Sequence, residues 1–241
     1  MKGANQMANE TTAPITKEEI LTYLYTKNYH CPVCEKDFMD FVVKKSKLRV
    51  ISTDTDFMTN YKDIDPNHYE VLFCPHCGYA TLSNYFDKIT QIQIKKIQEK
   101  ISPNYKPIEF IMPLSKEQVI NRYKQCVICA GAIDAKASQK AFIALKLAWV
   151  LRKMGQNELE KRFIKDACDG FQTAFTQERL PIGNMDEATA KYVIADLFRR
   201  TGDMGNAMRW VANVVTAKGI PGQLKDRATN LKDLIREGKI D

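Results

Sequence analysis

Cys31-Pro32-Val33-Cys34 and Cys74-Pro75-His76-Cys77-Gly78 constrain this chain more than any other feature. Each is a C-P-x-C knuckle, and together they supply four thiolates, the full coordination set of a structural zinc ion. One C-x-x-C alone would also suit redox or haem-attachment chemistry. The doubled spacing, with Pro after the first Cys of each pair, points to metal. Cys31, Cys34, Cys74 and Cys77 are the expected ligands of one tetrahedral Zn²⁺. Iron is the alternative, because rubredoxin-like sites use similar paired knuckles. The metal-free reading is four unrelated buried thiols. Either ion would be closed by four protein ligands, with no open position for substrate, so the expected site is structural.

The motif has a physical logic. Proline stiffens the tight turn after the first Cys, and Gly78 permits the positive φ that aims backbone N–H groups at the sulfurs. Glu35 stands where the second knuckle has its glycine, so the first turn is expected to be less ideal. His30, His68 and His76 are the chain's three histidines, and each lies near a knuckle. Four cysteines already suffice for the ion, so the histidines are expected outside its ligand set. A histidine-based triad has few places to form.

At 241 residues the chain has room for one large or two ordinary domains. The opening residues lack the apolar run that export requires, and no apolar stretch approaches the ~20 residues of a membrane span. The expectation is a soluble, cytoplasmic protein without a membrane partner. In a reducing compartment, seven cysteines point to metal ligands and buried thiols more than to disulfides.

Charge is unevenly placed. Residues 29–88 hold 7 Lys+Arg against 9 Asp+Glu, whereas residues 115–241 hold 22 against 15. The knuckle region is therefore acidic and the remainder basic. Nucleic acid is a possible partner for the basic part, since zinc ribbons often accompany such binding. No Lys/Arg run exceeds two residues, however, and scattered charge on solvated helix faces is the default. An unidentified protein or peptide partner is the favoured expectation.

The residue pattern divides the chain into four parts. Residues 1–14 read as a flexible tail, and 15–101 as the knuckle module with flanking helices. Residues 102–114 form a Pro-rich linker, and 115–241 a helical domain. Within the module, Phe38, Phe41 and Val43 suggest a half-buried strand. Val50-Ile51 and Tyr69 to Phe73 suggest two more, the last leading straight into Cys74. Helical periodicity covers 87–101 in the module. It then resumes at 116–133, 137–154, 157–177, 186–201, 204–217 and 222–236, opened by a capping box at Ser115–Gln118. Gly155 and Gly202 fall at expected helix ends.

The stretch around Gly202, with Ala195, Phe198, Ala207 and Trp210, resembles the small–large rhythm of a tetratricopeptide repeat. The expected fold class is α+β: a small zinc-ribbon or rubredoxin-like N-terminal module, followed by an all-α tetratricopeptide-like solenoid.

Two further motifs need weighing. Asp54-Thr55-Asp56-Phe57 is a carboxylate pair at i and i+2, compatible with acid–base work or Mg²⁺. Turn-rich stretches favour Asp on local grounds, and the sequence favours caps that solvate a loop. Cys126 and Cys129 form a third C-x-x-C, inside a helix and without Pro or Gly, so they read as core residues more than as a redox pair or second metal site. Cys168 reads as buried too. No P-loop, Rossmann glycine pattern or G-x-S-x-G is present, and no catalytic residue is assigned.

Taken together, several elements are similar to a bacterial family of uncharacterised proteins, the domain-of-unknown-function family 2225. They are Cys31 to Phe38, Ser46 to Val50, Asp54 to Phe57, Tyr61, Pro66, Tyr69 to Val71 and Cys74 to Ala80. The resemblance is specific over about residues 29–88 and looser over the helices. The family pattern usually has Gly after each knuckle, and Glu35 departs from it. The resemblance implies no activity, only a tetratricopeptide-like scaffold of the kind whose concave face binds peptides. The reading that follows is a non-enzymatic, zinc-binding adaptor. Its rivals are a nucleic-acid-binding zinc ribbon and an iron or dithiol redox protein.

Overall fold

A computed structural model describes residues 15–240. The tail expected at 1–14 lies outside the described residues. A short helix α1 (Lys17–Thr22), held by a Thr16/Glu19 capping box, leads into β1 (Leu24–His30). β1 pairs antiparallel with β2 (Asp37–Val43) in continuous register, from Leu24 opposite Val43 to His30 opposite Asp37. β3 (Val50–Thr53) pairs with β4 (Thr59–Tyr61), and β5 (Val71–Phe73) with β6 (Ala80–Leu82). The module is thus three separate two-stranded ribbons. Isolated ribbons are marginal in water, so each needs support from elsewhere.

The expected helices form: α2 (Gln91–Lys100), α3 (Lys116–Ala132), α4 (Ala137–Lys153) and α5 (Asn157–Gln177), then α6 (Glu187–Arg200), α7 (Met204–Thr216) and α8 (Gly222–Arg236). Their ends fall within two residues of the periodicity wherever the pattern runs from 116 onward. The capping box at Ser115 is present, with Ser115 accepting from the Gln118 amide. From α3 to α8, each helix packs on the next in chain order. None of the described helices is long and apolar enough to cross a membrane.

Two main cores result. The first gathers Val33, Phe38, Val71, Phe73, Tyr79, Leu82 and Phe86 of the module with Ile97 of α2 and Val119, Tyr123, Cys126 and Cys129 of α3. The second joins α4 to α8 through residues such as Ile164, Phe171, Ile194, Leu197, Val211 and Leu231. α4 serves both: Ile143, Leu147 and Leu151 face the first, and Ala144, Leu145 and Ala148 the second. α3 puts its buried face into the module's core, although its period reads as the first of the downstream helices. Residues 102–114 also pack down, with Phe110 against Phe73 at 5.0 Å between ring centres.

One strand faces differently from expectation. In β2 the buried positions are Phe38, Asp40 and Val43, and Phe41 is only half-buried. A carboxylate turns inward because Arg122 of α3 meets it there, itself only 2% exposed.

Candidate metal centre

Each knuckle is the turn of a ribbon. The first joins β1 to β2, and the second joins β5 to β6. Their backbones match bond for bond. The Glu35 amide donates to the Cys31 carbonyl at 2.9 Å, and the Gly78 amide to the Cys74 carbonyl at 3.1 Å. The Cys31 amide donates to Lys36 at 3.0 Å, and the Cys74 amide to Tyr79 at 2.8 Å. Glu35 takes φ 57° and Gly78 φ 77°, so the glutamate adopts the left-handed conformation that glycine adopts freely. The first turn therefore keeps the geometry of the second and carries the strain of a side chain.

The turns present four sulfurs to one another. Cys31 lies 3.7 Å from Cys77 and Cys34 3.7 Å from Cys74, and all four Sγ atoms lie within 4.8 Å. A tetrahedron with metal–sulfur bonds of about 2.3 Å has edges of about 3.8 Å, so the donor set fits a single four-coordinate ion. Cys31, Cys74 and Cys77 are buried, and Cys34 is half-buried. Thiols crowded this closely cannot all ionise unaided. Hydrogen bonding with Cys74 helps push the Cys31 thiol up, while sharing the protons of Cys31 and Cys77 pulls Cys74 down. Gathering four thiolates in one buried place takes a cation among them.

Surrounding elements hold the knuckles from outside. Gln98 of α2 donates to the Val33 carbonyl at 2.8 Å, and Ser102 to the Cys77 carbonyl at 3.2 Å. From α3, Gln125 donates to the Gly78 carbonyl at 2.8 Å, and Cys129 to the same oxygen at 3.4 Å. Tyr105 lies against Gly78 so closely that a Cβ there would sit 2.5 Å from its ring. This second layer fixes ligand orientation, as outer partners do at metal sites generally.

The other candidates fall outside the cluster. Exposed His30 pairs with Asp37 at 2.7 Å, and exposed His76 donates to the Asp37 carbonyl at 3.2 Å. His68 is half-buried. Among the described residues, only the four cysteines group closely enough to hold an ion. Cys126 and Cys129 are buried in the first core, and Cys168 in the second. Burial pushes the Cys129 thiol up to about 11 and the Cys168 thiol to about 12, so all remain protonated near neutrality.

Asp54 and Asp56 meet the expectation in part: Asp56 caps its turn, accepting from the Met58 amide at 3.2 Å, but the pair does not solvate a loop. They lie in the β3–β4 turn, and both reach Arg152 of α4: Asp54 at 3.0 Å and Asp56 at 2.7 Å. Asp56 is fully buried. It also accepts from Trp149 Nε1 at 3.0 Å and lies 3.4 Å from Arg200 of α6. Thr55 donates to buried Asp196 at 2.8 Å, and Tyr192 donates to the Thr55 carbonyl at 2.9 Å. Burial alone would raise Asp56, but Arg200 and Arg152 outweigh it and hold the carboxyl below its usual range. An arginine-bound carboxylate of this kind is poorly suited to proton exchange near neutrality.

The sequence reading missed Asp40, Arg122, Asp196, Arg199 and Arg200. Arg122 pairs with Asp40, and Arg199 and Arg200 meet Asp196 at 2.8 and 3.0 Å. Asp40 alone carried a signal, because it shares the inward face of β2 with Phe38 two residues before it.

The family comparison extends beyond the knuckles into the helices. A family model matches residues 24–235, under the description "Uncharacterized protein conserved in bacteria (DUF2225)". The chain belongs to this family. The match runs through α3 to α8, so the family unit includes both cores and the knuckles together. Neither a curated protein nor a solved structure matches the chain.

Proposed function

We propose that this family member is a non-enzymatic adaptor: a zinc-stabilised module seated on a helical scaffold that binds another protein. The observation that carries the reading is the closure of the cysteine site. Four protein sulfurs at tetrahedral spacing would complete the coordination of a zinc ion, leaving its role to folding. The best candidate carboxylate pair is engaged by arginine, which supports the same reading. The packing of α3 to α8, each on the next in chain order, supports reading them as a tetratricopeptide-like solenoid, an architecture that offers extended binding faces.

Tagged full-length chain, crosslinked in its own host and recovered for mass spectrometry, tests the adaptor role. Stoichiometric recovery of one or a few proteins is expected. Turnover of a defined substrate without any recovered partner would overturn it.

A second reading has its own observation. Lys45, Lys47 and Arg49 precede β3 and Lys62 follows β4, with the Lys62 amide donating to the Arg49 carbonyl at 3.0 Å, beside exposed Val50 and Ile51. Nucleic acid held there would dissociate steeply with rising salt. Recovery of RNA or DNA in place of protein would favour this reading.

A further inference from the structure

A groove of about 580 Å³ opens between the 100–110 segment and the outer face of α3, next to the second knuckle. Its floor is aromatic and aliphatic: Tyr105, Phe110 and Ile128. Ile128 is 54% exposed, although it lies on a helix whose opposite face is core. Its rim carries Lys100, Lys106 and Lys124, and no Asp or Glu lines it. Among the described residues none of these three lysines forms an ion pair. Asp134, whose carboxyl Lys100 influences, is taken by Lys96 at 2.7 Å.

The floor is built before any partner arrives. Phe110 stacks on the buried Arg122 guanidinium, with 4.8 Å from Cζ to the ring centre. Phe73 meets both Tyr105 and Phe110. Tyr105 in turn lies on Gly78 of the second knuckle. A preformed floor lowers the ordering cost of binding. Rim charge of one sign sets which partners approach.

We propose that this groove receives an acidic amphipathic segment of a partner protein. Large apolar side chains of that segment would enter over Tyr105, Phe110 and Ile128. Its carboxylates would meet Lys100, Lys106 and Lys124. The groove needs apolar contact as well as charge, which favours a peptide over a bare polyanion. The proposal rests on the adaptor reading and names where and what the adaptor binds.

The test is panning of phage-displayed random 16-residue peptides against the full-length, metal-loaded chain. Enriched peptides are then measured by fluorescence anisotropy. The comparison proteins are the triple variant Lys100→Glu/Lys106→Glu/Lys124→Glu and the milder Ile128→Ser, whose folding is confirmed by circular dichroism. Enriched peptides should combine net negative charge with at least two large apolar residues. They should lose about tenfold or more in affinity for the triple variant. Replacing their apolar residues with Ser should abolish binding. Enrichment without acidic bias, unaffected by either variant, would overturn the groove and leave the adaptor reading standing. Equal binding of the Ser-substituted peptides, or tighter binding of a fluorescent dT12 strand at the same lysines, would also overturn it, in favour of simple polyanion attraction. Failure to enrich any peptide would overturn the groove and leave the adaptor reading to the crosslinking experiment.

Discussion

The module is fastened at two places by opposite chemistry. At the knuckles, four groups that become anions converge on one another. At the β3–β4 turn, Asp54 and Asp56 converge on cations the chain does supply, Arg152 and Arg200. With an ion taken up between the sulfurs, the first fastening would depend on what the solution provides and would respond to chelators and acid. The second is built in and persists wherever the helices are folded. The difference teaches that one small module can carry a conditional anchor and a permanent one. It also implies that losing the metal should loosen the knuckles while the β3–β4 turn stays docked.

The largest break in this comparison comes from Cys74→Ser. Structural zinc contributes on the order of 10 kcal/mol in small metal-folded domains, so removing a ligand should melt the knuckle ribbons. The helical circular dichroism of α4 to α8 should largely remain, and hydrogen exchange should rise in β1, β2, β5 and β6. Uniform loss of protection through α6 to α8 would show that the two cores do not separate.

Asp56→Ala acts on the permanent anchor. It leaves Arg152 and Arg200 short of a buried counter-charge, and a cost of about 3–5 kcal/mol is expected in denaturant unfolding. Metal content should be unchanged. The pH dependence has a definite sign. The folded pKa of Asp56 is lowered, so its contribution is full above the ordinary carboxylate value near ~3.9 and is lost as pH falls through the folded value. The stability gap between the parent and Asp56→Asn should therefore narrow in acid. A gap that widens there would contradict the arginine pairing.

The two knuckle turns give the smaller effects. Gly78→Ala must hold an alanine at φ 77° and pushes its Cβ into Tyr105, so a loss of at least about 1–2 kcal/mol is expected. Glu35→Gly relieves a left-handed glutamate but adds chain entropy, and its net gain should be no more than about 0.5 kcal/mol. Opposite signs at equivalent positions would confirm that the turns share one geometry. A loss at both would mean that Glu35 makes its own contribution.

What the sequence disclosed followed the range of each interaction. The four cysteines sit in two short motifs, and helices α3 to α8 follow from local period and caps, so both were legible. The role of Asp54 and Asp56 was not, because their partners lie 96–98 residues away for Arg152 and further still for Arg200. A local rule sees an Asp-rich turn; only the tertiary fold supplies the arginines. Asp40 failed for the same reason, since Arg122 stands 82 residues along the chain. The left-handed Glu35 was half-legible. Its position in the motif predicted the turn, and its side chain argued against it.

The central claim is that the four cysteines hold one ion and that the ion holds the knuckles. The most direct measurement is elemental mass spectrometry on untagged protein, with an absorption spectrum and a melting curve taken before and after chelation. One zinc per chain is expected, with no visible colour and a melting transition that splits or falls sharply once the metal is removed. A metal-free preparation that melts unchanged with chelator would contradict it, and a red, iron-loaded one would keep the site and replace the metal.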